Sequence, residues 1–259
     1  MAIITLTSDW GLRDHYIGAV KGAILRLMPD AQIVDITHQI PAFDLNQAAF
    51  IIRNFYRNFP EGTIHILAIN TEAAIETPHT LVIKDGHYFI GADNGIFSLI
   101  FDSRPDKIIE LDVIQDSDYF TFSTRDVFVK VACHIASGKP YEELGHAKDK
   151  ILQKISFQPV IQGDLVKGKV IYIDNYENVF TNITETLFKS STKGHKFTIT
   201  FRSPNYRITE ISKGYKDVNQ GEMLALFSSS GYLEIAIREG KASSLLGLKM
   251  DQAVTVEIE

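Results

Sequence analysis

Cysteine is nearly absent: Cys133 is the single thiol in 259 residues. That excludes an internal disulfide and a zinc cluster built on thiolates. Cys133 follows the apolar stretch 127–132, where a thiol packs as a small buried hydrophobe rather than a nucleophile. An excess of positive charge is absent too. Twenty-six Lys and Arg stand against 32 Asp and Glu, for a formal net charge of −6. This argues against a nucleic-acid binder, which carries a basic footprint, though not against a local cationic pocket. No apolar run approaches the length of a membrane span, and residues 1–6 lack a basic region before Asp9 is met. A cytoplasmic protein without a membrane partner is the expectation. G-x-G-x-x-G, Walker A and H-E-x-x-H motifs are all missing, and the eight histidines are scattered. No metal or cofactor site is expected. What remains is a chain 45% apolar and 22% charged, able to bury a full core in one large domain or two ordinary ones.

The order of the patterns divides the chain. Over residues 1–157, short strands alternate with helical periods. Strands are predicted at 3–7, 32–36, 63–69, 80–84, 88–92 and 107–111, and helices at 15–27, 45–55, 96–101 and 126–137. Strands alternating with helices imply an α/β domain with a mainly parallel sheet. Phe157-Gln158-Pro159 reads as a linker. Residues 160–259 form a second domain of short strands separated by turn residues, at 165–173, 179–183, 196–201, 206–211, 223–227, 232–237 and 253–258. That spacing suggests an all-β sandwich or barrel.

Six segments carry candidate chemistry. In the first, Asp9 leaves a buried strand and Asp14 stands at the start of a helix beside His15-Tyr16. Ligands of open α/β sheets bind outside the carboxyl ends of strands, and a carboxylate there can accept both hydroxyls of a ribose diol. Asp9 could equally cap the following helix. In the second, Asp35-Ile36-Thr37-His38, His38 is either a base or ligand, or a residue that holds the loop through backbone hydrogen bonds; Phe43 is a candidate aromatic wall. In the third, Asp93-Asn94-Gly95 supplies turn chemistry and a helix cap. In the fourth, Ser123, Thr124 and Asp126 lie at a predicted helix N-terminus, a place for an anion or a water, or for simple caps. The fifth is a polar loop, 173–182, whose hairpin turn explains Asn175 and Glu177 better than the flanking Asp174 and Asn178. The sixth, 227–236, carries Ser229 in an ordinary hairpin signal.

Taken in order, Thr7-Ser8-Asp9-Trp10-Gly11, Asp35-Ile36-Thr37-His38, Phe59-Pro60-Glu61-Gly62-Thr63, Asp93-Asn94-Gly95 and Asn178-Val179-Phe180-Thr181-Asn182 resemble the signatures of the S-adenosylmethionine (SAM) hydroxide adenosyltransferase family, which includes fluorinases and chlorinases. The resemblance spans nearly the whole chain. It implies an N-terminal α/β domain and a C-terminal β-barrel. It also implies a homotrimer that holds SAM between one subunit's N-terminal domain and its neighbour's C-terminal domain. By the same resemblance Asp9 is the ribose-diol carboxylate, Asp14 a polar residue near the methionine end, and Phe43 a wall of the pocket. Asp174 is the acceptor for the methionine ammonium, Asn178 an adenine contact and Ser229 a donor to the methionine carboxylate.

The implied reaction is SN2 attack at ribose C5′ with methionine as leaving group, SAM being the substrate and no separate cofactor being used. The hydrolytic branch holds its water with an Asp-Arg-His set. Here Asn70, Thr77 and Ser123 stand at those positions, and Glu72, Glu76 and His79 are the nearest titratable groups in the Asn70 segment. Ser123 and Thr124 could line a halide pocket, but the tyrosine that halogenases carry in place of Asn70 is missing. The expected activity is therefore SAM hydrolysis to adenosine and methionine at an altered water site. A non-catalytic SAM or adenosine binder is the alternative, and a halogenase is the third reading.

Overall fold

A computed structural model describes residues 2–115, 121–155 and 157–259, the side chains of Pro204 and Asn205 excepted. The chain divides into two compact units, Met1–Ile155 and Ser156–Glu259.

The first unit is a seven-stranded sheet between two layers of helix. Its strands are β1 (Ile3–Ser8), β2 (Gln32–Thr37), β3 (Ile64–Ala68), β4 (His79–Lys84), β5 (His87–Ala92), β6 (Lys107–Leu111) and β7 (Gly145–Ala147), in the order β2-β1-β3-β5-β4-β6-β7. The period of two along β3 and β5 sends alternate residues to opposite layers. Ile64, Ile66 and Ile90 pack with Val20 and Ile24 of α1 (Tyr16–Leu27). Leu67, Ile69 and Phe89 pack with Ala48, Ala49 and Ile52 of α2 (Leu45–Phe55) and with Ile96 and Phe97 of α3 (Ile96–Ile100). The mainly parallel sheet predicted from sequence is realised in β2, β1, β3 and β5, which pair in parallel. The remaining pairs are antiparallel, so the sheet is mixed. The physical reason is the Asp85-Gly86 turn joining β4 to β5: two residues make a hairpin, whereas a parallel crossover needs a dozen or more.

The helix predicted from Asp126 has a different entrance. A π-helical turn, Thr124–Phe128, precedes α4 (Val129–Ala136). Such turns are rare and concentrate at functional sites.

The second unit is an all-antiparallel, nearly closed barrel. Its strands are β8 (Val160–Gln162), β9 (Leu165–Ile173), β10 (Val179–Thr184), β11 (Phe197–Phe201), β12 (Ser203–Ile208), β13 (Met223–Phe227), β14 (Tyr232–Ile237) and β15 (Ala253–Ile258). They run β12-β11-β15-β9-β10-β14-β13, with β8 on β9 and the end strands β12 and β13 approaching one another. Two helices not predicted from sequence pack on the barrel, α5 (Glu185–Thr192) and α6 (Ala242–Leu246). Phe188 of α5 and Leu246 of α6 enter the barrel core. Strand β12 starts and stops earlier than predicted; Ile211 makes only an isolated bridge to Ala225.

Within β9, Gly168 is a close-approach position. A Cβ there would lie 2.5 Å from Ile183 Cγ1 and 2.7 Å from Asn182 Oδ1. That Asn182 oxygen already accepts from the Lys169 N–H. Gly168→Ala should therefore destabilise the barrel by about 1–3 kcal/mol, the usual cost of overpacking. Thermal unfolding of the variant against the parent checks this; an unchanged midpoint would contradict the packing described.

Candidate active site

Parallel pairing puts the carboxyl ends of β1, β2 and β3 at one edge, with Thr7 opposite Thr37 and Ser8 opposite Ala68. The start of the antiparallel β4 reaches the same edge, His79 facing Ala92. Four of the segments singled out by sequence therefore emerge side by side, and specific contacts tie them together.

Asp9 does not cap α1. The helix begins after His15 without a side-chain cap, and Asp9 Oδ2 instead accepts the Phe43 N–H at 2.9 Å. Phe43 sits in the left-handed region at φ 65° and is 71% exposed. Asp14 is exposed just ahead of the helix. Loops 9–14 and 38–43 are thus bonded to one another. His38 does more than hold its loop through the backbone. Its carbonyl accepts the Gly11 N–H, and its buried ring binds Ser8 Oγ through Nδ1 at 2.7 Å.

Asn70 takes a left-handed conformation, φ 48°, which Asn tolerates better than most residues. Asn94 pins that loop, its Nδ2 donating to the carbonyls of Ile69 and Asn70 while its Oδ1 accepts the Ile96 N–H. Thr77 closes a tight turn with Ala74, which leaves Glu72 and Glu76 exposed. His79 Nε2 donates to the Thr71 carbonyl at 2.9 Å, and its ring meets Phe128 edge-on at 4.9 Å. Burial lowers the His79 pKa, so the ring is held neutral. This contact brings the Asn70 segment against the π turn.

A second bridge runs from the π turn to the first segment. Trp10, Tyr16 and Phe122 form an aromatic cluster with centroid distances of 5.3 to 5.9 Å. Ser123 and Thr124 follow, both buried, and Ser123 caps nothing through its side chain. Asp126 lies in the first turn. It takes a two-point bond from Arg125, whose guanidinium also lies over the Phe122 ring.

Among the described residues, Thr7 Oγ1 and Thr124 Oγ1 are buried hydroxyls with no hydrogen-bond partner. Buried polar atoms are nearly always paired, so an orphan at a site asks for a ligand or a water. Thr7 lies at the carboxyl edge of β1, and the π turn bearing Thr124 packs against β3, β5 and α1. Among the described residues no group of three or more His, Cys, Asp or Glu could hold a metal ion.

In the second unit Asp174 is a turn organiser. Its Oδ1 accepts the N–H groups of Tyr176 and Asn178, and its Oδ2 lies 3.3 Å from Asn178 Nδ2. The hairpin thus accounts for Asp174 and Asn178 more fully than the sequence suggested. Ser229 is exposed at the tip of the β13–β14 hairpin. Sequence reasoning missed Glu234, 1% exposed, which accepts the Tyr215 hydroxyl at 2.7 Å. Burial and the nearby Asp174 charge raise its pKa against the bond from Tyr215. The alternation of β14 places Glu234 on a buried face, the one signal that could have drawn attention to it.

Two domain families match the chain: the SAM hydroxide adenosyltransferase N-terminal domain over residues 4–145 and the C-terminal domain over residues 168–255. The (R)-S-adenosyl-L-methionine hydrolase of Methanocaldococcus jannaschii is 30% identical, covering 95% of this chain and 92% of that protein. A fluorinase of Nocardia brasiliensis is 28% identical over 99% and 97%. Among solved structures, an uncharacterized conserved protein from Thermotoga maritima is similar with a TM-score of 0.88 and 28% identity, over 98% of this chain and 99% of that one.

Proposed function

Since the chain belongs to the SAM hydroxide adenosyltransferase family, we propose that it hydrolyses SAM to adenosine and methionine. Water or hydroxide attacks ribose C5′, the C5′–S bond breaks, and methionine leaves as a neutral thioether. The water proton is released to solvent or to a base. A sulfonium leaving group needs no general acid, so the protein's work is to position and desolvate the nucleophile. Asp9 is assigned to the ribose diol, with Phe43 as a wall and Asp14 near the methionine end. Asp174 takes the ammonium, Asn178 the adenine and Ser229 the methionine carboxylate.

The observation that carries this reading is the pair of orphan hydroxyls, Thr7 and Thr124, at the edge where Asp9 is held by Phe43. In the proposed site Thr124 and Ser123, with Asn70 and Thr77, handle the water in place of the relatives' charged set. Thr124→Val keeps shape and deletes the orphan hydroxyl. If that hydroxyl serves only the fold, its loss is neutral or stabilising. The expectation is a raised melting temperature together with about a tenfold loss of turnover, the price of one hydrogen bond to the reacting water. Turnover equal to the parent's would remove Thr124 from the site.

The direct test is chromatography of SAM, supplied as each sulfonium epimer, after incubation with the protein. Adenosine and methionine above the protein-free control support hydrolysis, and a halogenated adenosine with added halide would replace it by the halogenase reading. The exchange of Asp-Arg-His for Asn70, Thr77 and Ser123 favours a second reading, a binder of SAM or adenosine without turnover. Saturable binding with no product would establish that one. We also propose a homotrimer, checked by light scattering in solution; a monomer would defeat a shared site.

A further inference from the structure

His38 occupies the junction of the two loops that hold Asp9. Ser8 immediately precedes Asp9, is fully buried, and bonds His38 Nδ1 through its hydroxyl at 2.7 Å. Gly11 lies two residues after Asp9, and its N–H donates to the His38 carbonyl at 2.6 Å. Asp9 itself accepts from Phe43, five residues beyond His38. One residue thus grips the chain on both sides of Asp9, and the third bond closes the loop on the carboxylate.

The far side of the ring is also defined. His38 Nε2 lies 3.3 Å from Asp35 Oδ1, facing the carboxylate with poor hydrogen-bond alignment. Asp35 Oδ2 accepts from Lys21 of α1 at 2.5 Å. The Trp10 indole lies parallel to the imidazole, 6.5 Å between centroids. A carboxylate facing Nε2 draws the ring proton to that nitrogen, which leaves Nδ1 as the acceptor of the Ser8 hydroxyl. Ser8 Oγ and His38 Nδ1 are bonded to one another, so their effect passes through Asp9.

We propose that His38, as the Nε2–H tautomer bonded to Ser8, is the positioning residue that fixes the Asp9 carboxylate for recognition of a vicinal diol. This rests on the assignment of Asp9 to the ribose.

The test uses the full chain and two probes, adenosine and 2′,3′-dideoxyadenosine, with calorimetric affinities for the parent, Asp9→Ala, Ser8→Ala, His38→Gln and His38→Asn. Diol recognition is read as the ratio of the two affinities. The parent should prefer adenosine by at least about tenfold, and Asp9→Ala should abolish the preference, a factor set by charge-assisted hydrogen bonds. Ser8→Ala and His38→Gln should shrink the ratio by about fivefold, because neither keeps the bond at the Nδ1 position. His38→Asn places an amide atom near that position and should restore much of the ratio. A merely structural role would shift melting temperature in all three without changing the ratio. If Asp9→Ala leaves the preference intact, the ribose assignment itself fails. If Asp9→Ala abolishes it while folded Ser8→Ala and His38→Gln keep the parent's ratio, the positioning role is overturned. Ser8→Ala removes a single hydroxyl and keeps the test decisive should His38→Gln not fold.

Discussion

Lowering the pH from about 7 to about 4 should cost the N-terminal unit on the order of 3 kcal/mol of stability through His65 alone. His65 of β3 is fully buried among Phe55, Tyr56, Phe59 and Phe89. Its Nδ1 meets Thr5 Oγ1 at 2.7 Å, and its Nε2 meets His87 Nδ1 at 3.2 Å. Only one proton fits between those two ring nitrogens, so a second would set N–H against N–H. Burial first, then the His87 charge, push the His65 pKa down to about 3. Burial lowers His87 as well, with Asp85 and Glu61 working against it. Both folded-state values lie below the unfolded one. The unfolded chain therefore binds more protons as the pH falls, and stability present above about pH 6.5 is lost progressively down to about pH 3. Trp10, the single tryptophan, packs in this unit and reports its unfolding. Urea titrations followed by its fluorescence should show a steep loss in the parent and a shallower one in His65→Asn. Parallel pH profiles for the two proteins would contradict the assignment.

Replacing Asp9 carries the second large effect. Asp9→Ala should weaken SAM and adenosine binding by about 1–3 kcal/mol, about fivefold to about 150-fold, as expected for a charged acceptor serving two hydroxyls. Part of the loss comes through the fold, since the Phe43 N–H loses its acceptor in a strained left-handed loop. Asp9→Asn separates the two. Its amide oxygen can still accept from Phe43, but it offers the diol no charge, so its affinity should fall between parent and alanine variant. Calorimetry with adenosine measures both. An Asn variant binding as tightly as the parent would mean that charge plays no part.

The elements legible in the sequence are those whose pattern is local. The apolar run 3–6 and helix Leu45–Phe55 were readable because burial on two faces, or on one helical face, writes a short-range period. Helix α5 is not legible, because Ser190, Ser191 and Thr192 have weak helix propensity. Its cap was in plain view, however: Thr184 accepts the Leu187 N–H, with Glu185 in the first turn. The π turn left no periodic trace, since five residues are too few to separate it from an ordinary helix start.

At the site, the sequence pointed to segments and the fold supplied their contacts. Asp9 was visible as a carboxylate at a strand exit, but its bond to Phe43 depends on the pairing of β1 with β2. Asn94 read as a turn residue, and its grip on Asn70 needs β3 and β5 side by side. His65 and His87 are not legible as a pair, because 22 residues of sequence separate two rings that the fold stacks.

Hydrolysis in water enriched in oxygen-18 tests the central claim most directly. Attack of water at C5′ predicts adenosine carrying the label in its 5′-hydroxyl and methionine carrying none. Adenosine without label, or methionine that acquires it, would contradict displacement by water at that carbon.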